Sequence, residues 1–402
     1  MSRLIEGAAI IGQSGGPTAV INQSLVGVIE GLRGYKHVKK IYGMRHGVDG
    51  LIKHLPMVDL TDYTSEALER LGKTPSAFLG SSRIKPTEAD GPKIFEACKQ
   101  ADIRYFFYIG GNDSSDTCRI VFELAQKNNY DMRCFHVPKT VDNDLMMSDH
   151  TPGYASAARF VAMAFMADDR DNASLPGIKI NVVMGRNAGF LTAASALARH
   201  SEGDGPHLIY LPEVPFDNDK FIEDVKGMVA KHGRCQIAVS EGIKNAQGQD
   251  VAATLIQNAQ TDSHGNAQLS GSGALGDMLS NLIKDKFKSP TGKPPRVRAD
   301  TLGYLQRCWP EPSPVDSAEA RQVGVKAAQE AMSGQTDGSI AIVRMSNHPY
   351  RIEKRVVKLS EVAAKTKIMP PEFIHENKHD VTRQFIEYAK PLVGELPHFV
   401  KL

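Results

Sequence analysis

The seven residues Pro138-Lys139-Thr140-Val141-Asp142-Asn143-Asp144 put one lysine ahead of two carboxylates. Moving a phosphoryl group onto an alcohol asks for this combination. One carboxylate takes the hydroxyl proton, and cations stabilise the oxygens of the group in transit. Asp142 supplies the first need and Lys139 part of the second. The competing reading is a solvated charged turn, but this run is not a common turn sequence. Two glycine pairs accompany it. Gln13-Ser14-Gly15-Gly16-Pro17-Thr18 leads from an apolar run toward a helical pattern, where backbone amides and a helix dipole can converge on an anion. Pro17 suits a first helical turn. A tight turn capped by Thr18 explains the same residues. Gly110-Gly111-Asn112-Asp113 follows a second apolar run. There Asp113 either caps a helix or belongs to a site in which Asn112 approaches a phosphate-bound magnesium, directly or through water.

Short apolar runs must hold these loops. Strands are expected at Ala8–Gly12, Lys39–Gly43, Tyr105–Ile109, Arg133–Pro138, Lys179–Met184, Leu208–Leu211, Gln236–Ser240 and Gly338–Met345. Helices are expected at Thr18–Leu32, Ser114–Asn128, Ala155–Asp171, Asn187–Ala198, Asp219–His232, Gly276–Phe287 and Asp316–Met332. Strand followed by helix, many times over, predicts an α/β fold with mostly parallel sheets, whose ligands gather at the C-terminal ends of strands. The loops after Gly12, Ile109, Pro138 and Met184 fall there. The polar stretch Asn245–Gly273 reads as a long connection or flap, and Ser289–Pro295 as a second break. The tail beyond Pro349 reads as a basic extension wrapping a lobe.

The chain's 402 residues are too many for one ordinary domain, so two lobes are the default. With 48 basic and 46 acidic side chains the net charge is +2, and no global field favours nucleic acid or an anionic membrane. An anionic ligand must be held by local clusters. Five cysteines, none spaced as a zinc site or redox pair, fit a reduced cytoplasmic protein. No signal-peptide pattern and no run long enough to cross a bilayer stand in the sequence. Neither a Walker loop nor the Gly-x-Gly-x-x-Gly dinucleotide fingerprint occurs, which counts against a P-loop enzyme and an NAD-linked oxidoreductase.

Taken together, Gly12–Pro17, Gly80-Ser81-Ser82-Arg83, Gly110–Asp113, Pro138–Asp144, Met184-Gly185-Arg186-Asn187-Ala188-Gly189, Glu241-Gly242 and Gly303-Tyr304-Leu305-Gln306-Arg307 resemble the A-type phosphofructokinase family, in the family's order. Within it they resemble the pyrophosphate-dependent branch. The resemblance implies two Rossmann-like three-layer lobes. A donor lobe would take residues 1–145 with about 265–297, and a sugar-phosphate lobe 146–264 with about 298–350. A C-terminal extension would take 351–402. It implies transfer from pyrophosphate to the 1-hydroxyl of fructose 6-phosphate, with magnesium as cofactor and a homodimer or homotetramer as the assembly.

Residue by residue, Gly15, Gly16 and Arg83 match the family's donor-phosphate positions, and Asp142 matches its base. Thr140, Val141 and Asp142 match the acceptor lining. Met184, Gly185, Arg186 and Glu241 match sugar contacts, and Arg298, Tyr304, Leu305, Gln306 and Arg307 the region gripping the acceptor. Asn112 takes the metal position, where the family often has aspartate. ATP-using members carry glycine in place of both Asp113 and Lys139. A carboxylate at Asp113 repels a nucleotide's α-phosphate, and Lys139 gives a short donor the charge it needs. The alternatives kept are an ATP-dependent phosphofructokinase and a non-catalytic sugar-phosphate sensor on the same scaffold.

Overall fold

All seven residues of Gly7–Gln13 (β1) are buried. Ala9 and Ile11 join one apolar cluster, while Ala8 and Ile10 join another. A strand buried on both faces needs layers above and below it, and neighbours on both edges. The computed structural model, which describes residues 5–87, 89–252, 273–287 and 295–400, supplies them. The remaining strands are Val38–Gly43 (β2), Val58–Asp59 (β3), Ile103–Gly110 (β4), Arg133–Pro138 (β5), Ile178–Val183 (β6), Leu208–Tyr210 (β7), Cys235–Ser240 (β8), Val297–Thr301 (β9), Asp337–Asn347 (β10) and Tyr350–Val357 (β11).

Two sheets form. The first runs β11-β10-β5-β4-β1-β2-β3, parallel through its five central strands and antiparallel at both edges. The second runs β7-β8-β6-β9 and is parallel throughout. The chain divides accordingly into residues 1–156 with 307–367, and residues 157–306 with 368–402. Among the described residues no helix is long and apolar enough to cross a membrane.

This division corrects the expected boundaries. The helix Ala274–Lys286 packs on β6 and β9, so it belongs with the second sheet rather than the donor lobe. Residues 307–350 go to the first sheet, because β10 pairs with β5 and the helix Pro314–Ser333 packs on the helix Ile21–Leu32. The expected extension is also split. Tyr350–Val357 is an edge strand bonded to β10, and residues from 368 onward join the second unit. Two further expectations change. The first helix starts at Ile21, so Pro17 and Thr18 precede it instead of opening it. Asn187–Ala198 resolves into an α-helical turn, Phe190–Ala194, and a 3-10 turn, Ser195–Ala198. Of the polar stretch 245–273, residues 253–272 lie outside the described residues, as do 289–294 of the second break.

The return of residues 307–367 to the first unit relies on a close helix crossing. A Cβ at Gly27 would overlap the carbonyl oxygen of Arg321, and one at Gly324 would overlap that of Ser24. Arg321 closes the crossing with a bidentate ion pair to Glu30, at 2.8 and 2.5 Å. Gly27→Ala is therefore expected to destabilise the protein by about 2–3 kcal/mol through overpacking. Gly227→Ala, in the helix Asn218–His232 where a Cβ meets nothing, should instead stabilise it by about 0.5–1 kcal/mol. Denaturant midpoints of the two variants check both signs. A Gly27→Ala protein as stable as its parent would exclude the crossing.

Candidate active site

Register decides which loops meet. In the first sheet Gln13 pairs with Ile109, and Gly110 pairs with Pro138. Three parallel neighbours thus end level with one another. The residues that follow them, Ser14–Gly16, Gly111–Asp113 and Lys139–Asp142, emerge on one edge of the sheet. In the second sheet Val183 pairs with Ser240, and Val182 with Thr301. By the same logic Met184–Arg186, Glu241–Gly242 and Gly303–Gln306 gather on one edge of that sheet.

The turn after β1 is shaped around cations. Gly15 has φ +76°, which favours glycine, and the Lys139 Nζ lies 3.1 Å from where its Cβ would be. Lys139 donates to the Gly16 carbonyl at 2.7 Å. A Cβ on Gly16 would come within 2.9 Å of the Arg307 guanidinium carbon. Arg307 therefore borders the Gly15–Gly16 turn within the first unit. The Gly15 N–H is committed to Ser82 O at 2.8 Å, and the Ser81 hydroxyl bonds Gly15 O at 2.5 Å. The charge offered to an anion here comes from side chains more than from a helix start, which lies several residues further on.

Lys139 is only 2% exposed. Burial, with the positive charges of Arg307 and Arg83, pushes its pKa down to about 7, while Asp142 and Asp144 pull the other way. Arg83 itself is exposed. Asp142 is half-buried, and its N–H bonds the Thr140 hydroxyl oxygen at 3.1 Å. Burial and the neighbouring Asp142 charge raise the pKa of Asp144. Between them, Asn143 is fully buried in the left-handed region at φ +61°. Val141 is buried beneath the loop.

The helix Asn112–Lys127 is capped by Gly111 without a side-chain bond, so Asp113 is not the cap. It sits exposed in the first turn. Asn112 Nδ2 reaches Asp144 Oδ2 at 3.4 Å. Its Oδ1 is buried with no hydrogen-bond partner among the described residues. A hard oxygen left open near the Asp144 carboxylate fits a magnesium ion, which takes few protein ligands and keeps several waters. No cluster of three or more His, Cys, Asp or Glu suited to a metal occurs among the described residues.

In the second unit Met184 and Glu241 are buried, and Arg186 is half-buried. Ser240 Oγ donates to the Gly185 carbonyl at 2.6 Å, and a Cβ on Gly242 would overlap the backbone of Arg186. Gln306 is buried, and its Oε1 accepts from the Met184 N–H at 3.3 Å, so it braces that loop. Tyr304 and Leu305 are exposed. Arg298 stands apart. It pairs with Lys179, four residues before Val183, and its charge acts on Asp171. At about 3.3 Å per residue that leaves it roughly 13 Å from the strand ends.

Supporting roles that the sequence reading did not assign now stand out. His136 is fully buried, and burial lowers its pKa to about 4. Its Nε2–H donates to Gly110 O at 2.8 Å, so Nδ1 accepts from the Ser339 hydroxyl at 2.7 Å. Gln13 donates to Asn22 at 2.8 Å and accepts from the Leu79 N–H at 2.9 Å, tying the donor turn to the Gly80–Arg83 loop. Their partners lie from nine to about two hundred residues away, and no local pattern marks them.

The family model for phosphofructokinase matches residues 8–331. The chain belongs to the phosphofructokinase family. It is 51% identical to a pyrophosphate–fructose 6-phosphate 1-phosphotransferase of Rhodospirillum rubrum, over 97% of this chain and 95% of that one. It is 37% identical to the protein of the same name from Halomonas elongata, over 96% and 91%. The crystal structure of a pyrophosphate-dependent phosphofructokinase from Nitrosospira multiformis superposes with a TM-score of 0.85 at 34% identity, covering 98% of this chain and 94% of that one. In this phosphofructokinase scaffold the level strand ends of each sheet carry the matched loops.

The depressed Lys139 ammonium has a consequence for anion binding. A lysine titrating near 7 in the free site, and restored by a bound polyanion, takes up a proton on binding above pH 7. Pyrophosphate affinity should therefore weaken as pH rises past 7. The slope of log Kd against pH should exceed that of Lys139→Arg, which stays charged, by about tenfold per pH unit. Calorimetric titration of both proteins between pH 6 and 9 reads the difference. Equal slopes would show that Lys139 does not titrate on binding.

Proposed function

We infer that this chain reversibly transfers a phosphoryl group from pyrophosphate to the 1-hydroxyl of fructose 6-phosphate, giving fructose 1,6-bisphosphate and phosphate. The single observation that carries the donor is the enclosed Lys139 ammonium lying against the Gly15–Gly16 turn with Arg307 beside it. The likeness to the Rhodospirillum rubrum enzyme over nearly the whole chain supports the same reaction. Asp142 is the general base. Its carboxylate takes the proton of the sugar hydroxyl as that oxygen bonds to phosphorus and the phosphorus–oxygen bond to the leaving phosphate breaks. Lys139, Arg307 and Arg83 face the charge that grows on the donor oxygens. Asn112 would hold magnesium, which when bound supplies further positive charge to the phosphates. Met184–Arg186, Glu241 and Tyr304 are the proposed sugar-phosphate contacts. Arg298, set apart from them, suits a site completed by a second copy of the chain in a homodimer or homotetramer. We place the enzyme in the cytoplasm.

Donor choice follows from charge. Pyrophosphate lacks the binding surface of a nucleoside, so its hold on the protein must come from cations. Asp113, exposed in the first turn of its helix, puts a negative charge where a longer donor would run. The energies of the phosphoanhydride donor and of its products lie close enough for the reaction to run both ways.

Two sets of kinetics test this reading. Asp142→Ala should lower kcat by about a thousandfold, with the KM for fructose 6-phosphate changed by no more than about threefold. Near-parental turnover would remove Asp142 as the base. Assayed with pyrophosphate and with ATP, Lys139→Gly should lose pyrophosphate-dependent turnover and Asp113→Gly should gain ATP use. An ATP-only parent, or donor preference unmoved in both variants, would overturn the donor assignment.

A further inference from the structure

The loop that carries Asp142 continues as an arc, Asp144–Asp149, and one distant residue closes both ends of it. The Lys367 N–H donates to Asp144 O at 2.7 Å, and the preceding Thr366 pairs with Leu145. The Lys367 ammonium then reaches across the arc to the carbonyls of Ser148 at 2.8 Å and Asp149 at 2.9 Å. Ser148 and Asp149 are in turn fixed to β10, through Ile342 N–H to Ser148 Oγ at 3.1 Å and Asp149 N–H to Ile342 O at 2.8 Å. The other side of the loop is held differently, by Thr140 N–H to Pro152 O at 3.1 Å and Thr151 Oγ to Thr140 O at 2.9 Å.

We propose that Lys367 is a positioning residue for phosphoryl transfer, whose ammonium clamps the Asp144–Asp149 arc and so holds the Asp142 carboxylate in its working place. The argument rests on the proposed role of Asp142. Two features of the loop make a clamp necessary. Asn143 and Met147 both take left-handed backbone conformations, at φ +61° and +66°, a region that asparagine visits more readily than most residues but that is strained for methionine. Asp142 and Asp144 repel one another, and Lys367 is a cation that acts on Asp144 and Asp149 together. The ammonium is enclosed enough that burial lowers its pKa to about 8, against the pull of those two carboxylates. A surface lysine with water for a partner would show no such depression. Asp149, moreover, is already engaged by Arg344 at 2.9 Å and by His150 at 2.7 Å. The Lys367 donors go instead to main-chain carbonyls, where they set the course of the chain.

Lys367→Met and Lys367→Arg, made in the full chain, provide the test. Lys367→Met should lose about 10- to 100-fold in kcat, with KM for pyrophosphate and fructose 6-phosphate within about threefold of the parent. Lys367→Arg, which keeps the charge and the donors, should recover most of that loss. Amide hydrogen exchange across 142–149 should quicken in the Met variant and not in the Arg variant, while the melting temperature stays close to the parent's. Parental kcat in Lys367→Met, or a loss tracking a lowered melting temperature that Arg does not restore, overturns the proposal. A parent with no pyrophosphate-dependent turnover refutes the function instead. The clamp is then judged on exchange alone, and unchanged exchange in Lys367→Met sinks it.

Discussion

The enclosed ammonium of Lys139 is the charge on which the site depends. Placing a cation against a main-chain turn, with Arg307 alongside, costs free energy in the absence of an anion, and the fall of its pKa toward 7 expresses that cost. The fold bears it because the surrounding backbone leaves little freedom. Lys139 follows a strand, β5, that is buried along its whole length and hydrogen-bonded on both edges. Its own N–H is fixed to Gly110 O at 3.0 Å. The carbonyl of Gly110 accepts a second bond from His136, whose neutrality is ensured by its burial. A rigid strand end thus holds a reluctant cation in place, and an incoming polyanion relieves the repulsion already stored there.

The glycines of the donor turn follow from the same charge. A Cβ at Gly15 or Gly16 would press against the Lys139 and Arg307 head groups and push them from their places. The pair therefore reflects the approach of two cations as much as the approach of a ligand. This differs from an amide nest at a helix start. Here the helix begins at Ile21, and the Gly15 N–H is already used by Ser82. The site is cationic by side chain, which suits a donor that offers charge and little else.

What the sequence made legible was local. Strands buried on both faces, such as Arg133–Pro138 and Cys235–Ser240, are short and mainly apolar, and lie within a residue or so of where pattern alone puts them. The loops at their ends carried the chemistry, as parallel sheets require. Of the edges, β7 was legible and others were not. In Tyr350–Val357 half-buried and exposed residues alternate, and charged side chains occupy the exposed positions, so an edge strand reads as a basic tail. Val297–Thr301 alternates in the same way and reads as loop. The division of the chain into units was hidden for another reason. It depends on the Gly27–Gly324 crossing, between residues nearly three hundred positions apart, and neither glycine announces a partner. The same holds for Asp316, which accepts from the N–H groups of Gly153 and Ser156, both at 2.9 Å, at the start of the helix Tyr154–Ser174. Arg307 stands in a sequence motif, but only the structure brings its guanidinium against Gly16.

The two carboxylates of the catalytic loop also divide their duties through their surroundings. Asp144 is boxed in by the loop, faces Asp142, and touches Asn112. Its neutral form is favoured, so it relieves the mutual repulsion by holding a proton more readily than an ordinary carboxyl. Asp142, three residues after Lys139, then has one neighbour of each kind, a cation that supports its charge and a carboxyl that is protonated more readily than usual. That arrangement needs the backbone between them to stay put. Asn143 joins them in a left-handed, fully buried conformation, and the chain beyond Asp144 must be held from outside the loop. A residue more than two hundred positions downstream does this because the return of the chain to the first sheet brings it there. The topology that looks like an untidy second crossing of the chain is what allows the catalytic loop to be fastened at both ends.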